Sequence, residues 1–399
     1  MALILSDIAQ SISPSATLGL NATVALLKSQ GEDVISMGAG EPDFDTPVHI
    51  RKAAKEAIDA GKTRYTDVKG IPELRQAVAD HIYAHKHLRY SIDEVIVSAG
   101  AKQAIVLALQ AILNPGDEVI LPSPYWISYT EMIKIAGGKP VFIGTEPETD
   151  FLPTPEQMAA AVTERTKAMI INSPNNPTGT IWPRELLAAA CELARKHDFF
   201  IISDEIYEDL CYDGYTHISP AQISDDAKQR TILVSGFSKA YAMTGWRMGY
   251  ASGPMFVIKA MAALQSHATG NPNSITQYAA LTALTASQDC VIDMAHSFAR
   301  RRTLLLFLLA QNGLRPGVMP KGAFYMLLDV RPYLGKKCGD EVIDTDGKFA
   351  ELLLSKAYVA VIPGAPFGAQ GFVRLSYAVS DIQITEAVRR IAAFVQSLE

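Results

Sequence analysis

From about residue 46 to residue 290 the chain alternates short apolar, β-branched runs with longer stretches whose apolar positions recur at helical spacing. The runs are "EVIVS" (ending at Ser98), "EVILP" (Glu118 to Pro122), "PVFIG" (Pro140 to Gly144), "AMIIN" (Ala168 to Asn172), "FFIIS" (Phe199 to Ser203), "TILVS" (Thr231 to Ser235) and "RMGYAS" (Arg247 to Ser252). Helical patterns such as "GAKQAIVLALQAIL" and "PRELLAAACELARKHD" separate several of them. Continuous apolar strands with helices between them predict an α/β fold, a mainly parallel sheet covered on both faces.

The pattern changes near residue 290. "CVIDMAHSFARRRTLLLFLLAQNGL" predicts one long helix, followed by strand-like "AFYMLLDV", helical "DGKFAELLLSKA", strand-like "VAVIPG" and "VRLSYA", and a last helix, "ITEAVRRIAAFVQSLE". This gives a large domain over 46–290 and a smaller α+β domain over 291–399, with residues 1–45 packing against the smaller one.

Composition narrows the class. Hydrophobic residues make up 48% and charged residues 20% of 399, the balance of a globular protein. The net charge of -6 disfavours a nucleic-acid surface. The four cysteines form no CxxC spacing, so neither a metal site nor a disulfide is expected. No apolar run is long enough to cross a bilayer and the first twenty residues lack a basic leader, which predicts a cytoplasmic protein with no membrane partner.

Polar residues gather where the predicted strands stop. In open α/β sheets ligands sit beyond the carboxyl ends of the strands. "SAGAK", "SPYW", "NSPNNPTG", "SDEIY" and "SGFSK" should therefore face one crevice. Lys239, between Ser238 and Ala240, suits a desolvated amine that attacks a carbonyl. Asp204 ends an apolar run, where a carboxylate needs a cation or a donor. Tyr207 follows three residues later, and Asn176 offers an amide from a rigid turn. Gly100 and Ala101 open a helix, whose free N–H groups make an anion cradle, and Arg247 can add fixed positive charge to it.

Together "GEPDFDTP", "GAKQAI", "SPYW", "NSPNNPTG", "SDEIY", "SGFSKAYAMTGWRMGY" and "VRLSYA" resemble the class I aminotransferases of the pyridoxal-phosphate fold-type I superfamily. The bacterial aspartate aminotransferase subgroup is most similar, and the resemblance runs over nearly the whole chain. It implies pyridoxal 5′-phosphate as cofactor, with Lys239 as the Schiff-base lysine and Asp204 as partner of the ring nitrogen. Tyr207 and Asn176 would donate to the ring's phenolic oxygen, and Trp126 would lie over the ring. Gly100, Ala101, Ser238 and Arg247 would hold the phosphate, with Lys102 beside them. Arg374 would grip the substrate α-carboxylate by a two-pronged contact, with the Gly40 backbone facing it. Tyr65 would reach the phosphate of a neighbouring subunit in a homodimer. The pattern departs at Gly236, where the family often has serine.

The implied activity is transfer of an amino group between an amino acid, aspartate in the first place, and a 2-oxo acid such as 2-oxoglutarate, by ping-pong turnover. Lys102, on the first turn of its helix, is expected to meet the distal carboxylate of a dicarboxylic substrate. The alternatives are another activity on the same fold: a prephenate or aromatic aminotransferase, or a C–S lyase.

Overall fold

The structure is a computed structural model that describes residues 3–14 and 16–399. Residues 1, 2 and 15 of the N-terminal segment lie outside the described residues.

Seven strands form the main sheet: β1 (Val95–Ser98), β2 (Glu118–Pro122), β3 (Lys139–Ile143), β4 (Thr166–Asn172), β5 (Phe200–Asp204), β6 (Thr231–Gly236) and β7 (Gly249–Ser252). Their order is β1-β7-β6-β5-β4-β2-β3. Six run in one sense, and β7 alone is antiparallel to its neighbours β1 and β6. Every residue of β1, β6 and β7 is buried, which is why these strands read as unbroken apolar or small-residue runs. Helix Ala101–Ile112 lays Ala104, Ile105, Ala108 and Leu109 against one face of the sheet, and helix Arg184–His197 packs Leu187, Ala190 and Ala194 against the other. Each large aliphatic side chain so buried contributes about 1.5–3 kcal/mol.

A second, three-stranded antiparallel sheet has the order β9-β10-β8, with β8 (Tyr325–Asp329), β9 (Ile362–Pro363) and β10 (Phe372–Ser376). It shares an apolar core with the 23-residue helix Asp289–Gln311 and the helices Asp346–Ala357 and Asp381–Gln396. The N-terminal segment joins this layer: Ile35–Ser36 pairs in parallel with Val359–Ala360, and the Ser376 amide donates to the Met37 carbonyl at 2.7 Å.

Several boundaries differ from the sequence pattern, and three have a clear structural cause. "VAVIPG" is not one strand, because it changes partner at Val361: Val359–Ala360 pairs with the N-terminal segment and Ile362–Pro363 with β10. β5 extends to Asp204, which stands in register with Asn172 on one side and Val234 on the other. β7 starts at Gly249, because Arg247 takes a left-handed conformation (φ 53°) that no strand accommodates.

Candidate active site

The topology brings the polar segments to one edge. Strands β1, β4, β5 and β6 end there, and β7, running the other way, begins there. Lys239 follows the end of β6 and Arg247 precedes the start of β7, so an ammonium and a guanidinium share one cavity. The cavity measures about 600 Å³. Gly40, Ala101, Lys102, Trp126, Asn176, Asp204, Tyr207, Ser238, Lys239, Arg247 and Arg374 all line it. Gly100 lies directly behind Arg247. Tyr65 does not line the cavity and is 97% exposed.

The anion cradle is built by close backbone approach. Gly100 has φ 85°, and a Cβ there would stand 2.4 Å from an Arg247 guanidinium nitrogen. A Cβ on Gly249 would stand 2.4 Å from the Ala101 amide nitrogen. Two glycines thus let the arginine and the helix N-terminus converge. Arg247 Nη1 donates to the Thr244 carbonyl at 2.9 Å, and the described residues give it no carboxylate partner.

Asp204 is 3% exposed. Its Oδ2 accepts from the Tyr129 hydroxyl at 2.6 Å and its Oδ1 from the Ile206 amide at 3.2 Å. Burial pushes its carboxyl up to about 6, although both hydrogen bonds pull it down. A cationic ring nitrogen beside it would relieve that burial cost. The Lys239 ammonium donates to the Gly40 carbonyl. Burial, then the neighbouring Arg374 and Arg247 cations, lower it to about 8.

Arg374, on β10, is 3% exposed and has no carboxylate partner among the described residues. Its Nη1 donates to the Asn176 side-chain oxygen at 2.9 Å and its Nη2 to the Gly38 carbonyl at 2.9 Å. Its Nε is buried without a partner. The guanidinium lies 4.4 Å over the ring of Tyr325 and 5.0 Å over that of Phe367. A buried, uncompensated guanidinium is a site for an anion. Lys102, exposed at the rim of the cavity, holds its ammonium 5.0 Å over the Trp126 ring. Burial and the charge of Arg247 lower its proton affinity.

The sequence pattern missed several lining residues: Glu41, Tyr129, Asn172, Thr244 and Tyr325. Glu41 follows Gly40 and accepts from the Thr244 hydroxyl at 2.8 Å. Asn172, the last residue of β4, accepts from the Asn176 amide at 2.9 Å and donates to the Asp204 carbonyl at 3.0 Å, joining two strand ends. Behind Asp204 lies a buried ionic group that the sequence pattern also missed. Lys86 donates to Glu208 and stands 3.5 Å from Glu205, whose same oxygen is 3.0 Å from His217 Nε2. Glu205, Glu208 and His217 bring ligand-type atoms within 4.8 Å of one another, and the Lys86 ammonium supplies the cation among them.

Residues 32–391 match the family described as aminotransferase class I and II. The chain belongs to the class I and II aminotransferases. This aminotransferase is 49% identical to the aspartate/prephenate aminotransferase of Thermus thermophilus over 97% of its own length and 98% of that protein's. It is 43% identical to the aspartate aminotransferase of Bacillus subtilis over 96% of its length and 97% of that protein's. Among solved structures, the aspartate aminotransferase from Rhizobium meliloti is similar with a TM-score of 0.96, at 43% identity and with 100% of both chains covered. No helix among the described residues of this aminotransferase is long and apolar enough to cross a membrane.

Proposed function

We propose that this aminotransferase binds pyridoxal 5′-phosphate through Lys239 and moves the amino group from aspartate to 2-oxoglutarate. The observation that carries this reading is the buried Arg374, without a carboxylate partner among the described residues, in one cavity with Lys239 and Asp204. The residues fit the cofactor. The Gly100–Ala101 turn and Arg247 match a phosphate, Asp204 a cationic ring nitrogen, and Tyr207 and Asn176 a phenolic oxygen. When bound, the cofactor supplies an aldehyde carbon and a ring that accepts the electron pair left at Cα.

The chain's own groups do the rest. Arg374 holds the α-carboxylate and fixes the amino acid's orientation. Lys239, as a neutral amine, would take the proton from Cα and deliver it to the carbon that was the cofactor's aldehyde. Asp204 keeps a positive charge at the ring nitrogen, Tyr129 holds the carboxylate in place, and Trp126 covers the ring. Lys102 is taken to meet the distal carboxylate of aspartate, and Gly40 to present its backbone to the α-carboxylate. The division into a cofactor-holding part (46–290) and a part carrying Arg374 (291–399 with 1–45) belongs to the same reading. What supports it is the pairing of Ile35–Ser36 with Val359–Ala360. We take the active unit to be a homodimer in which Tyr65, turned away from its own cavity, reaches the partner's phosphate.

The test is direct. Purified with pyridoxal 5′-phosphate, the protein should absorb in the visible range and convert aspartate and 2-oxoglutarate without releasing ammonia. Borohydride should fix the cofactor to Lys239, and Lys239→Ala should lose both the fixed link and turnover by several orders of magnitude. The name of the Thermus relative favours prephenate as a second acceptor, so prephenate belongs in the acceptor panel. Ammonia release would favour a lyase instead, and an active monomer by light scattering would remove Tyr65 from the site.

A further inference from the structure

We propose that Tyr325 is a positioning residue that ties the two ends of the site together. Its hydroxyl donates to Tyr207 and so directs Tyr207's own proton outward, and its ring holds the Arg374 guanidinium flat. This inference rests on the proposed function.

The placement follows from strand register. Tyr325 opens β8, opposite Ser376, and Arg374 lies opposite Leu327 in the same antiparallel pair. Residues two apart share a face, so Tyr325 and Arg374 are diagonal neighbours on one face of the sheet. That brings the guanidinium 4.4 Å over the Tyr325 ring. A phenol face under a buried cation is attractive and also blocks rotation of the fork.

The other end of Tyr325 crosses to the main sheet. Its hydroxyl lies 2.9 Å from that of Tyr207, which follows β5, and the two rings meet edge to face at 86°. Tyr325 is 1% exposed and Tyr207 4%. Among the described residues, neither hydroxyl has any other hydrogen-bond partner. Each hydroxyl carries one proton. If Tyr207 is to donate to a ligand oxygen, it must accept from Tyr325. The charges favour this direction. Burial raises both phenols; at Tyr325 the Arg374 guanidinium over its ring is the first force against it, whereas Tyr207 is pushed well above the usual tyrosine range. The more acidic phenol is the better donor. A donor that itself accepts a hydrogen bond is strengthened by polarisation. Tyr325 therefore acts on the cofactor oxygen through Tyr207 and on the substrate carboxylate through Arg374.

The two roles separate by substitution in the cofactor-loaded protein. Three readouts are needed: the pH midpoint of the visible absorbance, the Kd of maleate as a dicarboxylate probe, and Tm. A strong donor at the phenolic oxygen favours the form with more negative charge there, so weakening it delays deprotonation. Tyr325→Phe keeps the ring. It should move the midpoint up by roughly 0.3–1 unit, the scale of a fraction of one hydrogen bond, and leave the maleate Kd within about twofold. Tyr325→Leu should move the midpoint and also weaken maleate at least about fivefold, as loss of a desolvated cation–ring contact requires. In a Tyr207→Phe background, Tyr325→Phe should add no further shift, because its route is gone. A Tyr325→Phe protein that titrates like wild type, or a shift that persists without the Tyr207 hydroxyl, would overturn the hydroxyl role. Maleate affinity unchanged in Tyr325→Leu would overturn the ring role. A lowered Tm with an unmoved midpoint would make the residue merely structural. Absence of any visible band in the wild-type protein would instead defeat the proposed function.

Discussion

The side-chain oxygen of Asn176 accepts a hydrogen bond from Arg374 Nη1 at 2.9 Å. The bond fixes the amide. With its oxygen committed to the guanidinium, the amide nitrogen is the end left to donate into the cavity. One asparagine from the turn after β4 thus holds a guanidinium from β10 and, in the proposed function, would donate to a ligand oxygen. Its backbone amide is pinned by Asn172 at 2.9 Å, so the turn itself is held in place.

The relationship yields a sharp variant. Asn176→Asp is nearly isosteric, but it places a carboxylate on Arg374 in a buried setting. The guanidinium would then be neutralised before substrate arrives. The KM for aspartate and the Kd of maleate should both rise by about 1.5–3 kcal/mol, roughly 10- to 150-fold, as for a hydrogen bond to a charged group. Unchanged maleate binding measured by titration would mean that Arg374 does not receive the carboxylate.

The lowered proton affinity of Lys239 gives a pH prediction in the cofactor-free protein. An amine attacks only when neutral, so its reactivity rises as pH climbs through its own value. For Lys239 that value is about 8, well below that of an ordinary lysine. Pulse acetylation followed by mass spectrometry should therefore show Lys239 labelling rise around pH 8. Arg374 is the second cause of the depression, after burial. Removing a like charge raises the value, so Arg374→Leu should move the midpoint to higher pH. Asp204 acts in the opposite sense, and Asp204→Asn should move it lower. Identical profiles in all three proteins would show that these charges do not govern the amine.

In the proposed function Asp204 also bears on turnover. Asp204→Asn keeps the shape and can still bond Tyr129, but it removes the charge that stabilises a cationic ring nitrogen. The expected result is a folded, cofactor-binding protein whose kcat falls by more than about tenfold, about 1.4 kcal/mol of barrier. A smaller loss in steady-state assays would take the electron-sink role away from this residue.

Much of this was legible because main-sheet strands are buried on both faces and the residues beyond them are polar. The runs ending at Ser98, Asn172 and Ser203 mark the edge, and the motifs behind them carry Gly100, Asn176 and Tyr207. Tyr325 was not legible, since a tyrosine in "AFYMLLDV" has the pattern of a packed strand residue. Only the register of β8 on β10 sets it under Arg374. Tyr129 sits in a short helix, and nothing local shows that its hydroxyl reaches a carboxylate 75 positions away. The group around Lys86 was hidden for the same reason: its partner Glu208 is 122 positions distant.

That group supports a stability prediction. Lys86 and Glu205 are buried, and Glu208 has only 8% of its side chain exposed. Burial alone would raise the Glu208 carboxyl, but the charges of Lys86, His81 and His217 and the Lys86 hydrogen bond together hold it below the usual carboxylate range. Lys86→Met would leave two buried carboxylates without their ammonium. Such a break costs about 3–5 kcal/mol, read as a lower denaturant midpoint. Adding Glu208→Gln should recover part of the loss, since one of the stranded charges is gone. No recovery in the double variant would mean that Lys86 stabilises through packing alone.

In the proposed function Lys102 sets how narrow the site is. Its ammonium stands over the Trp126 ring at 5.0 Å, inside the cavity and close enough to Arg247 that the two charges repel. An ammonium held beside a second cation gains from meeting an anion. Two anions are candidates in the proposed function: the cofactor phosphate, already served by Arg247 and the Gly100–Ala101 turn, and the distal carboxylate of aspartate. The contact is a mobile point charge rather than a fork, so it should favour dicarboxylates without rejecting neutral or aromatic amino acids. Lys102→Ala should therefore lower kcat/KM for aspartate by roughly 1–3 kcal/mol, as for a charged hydrogen bond. The value for a neutral amino acid should stay within about twofold. Cofactor affinity, measured by fluorescence on reloading, should also be little changed. Equal losses for both substrates together with weakened cofactor would assign Lys102 to the phosphate instead.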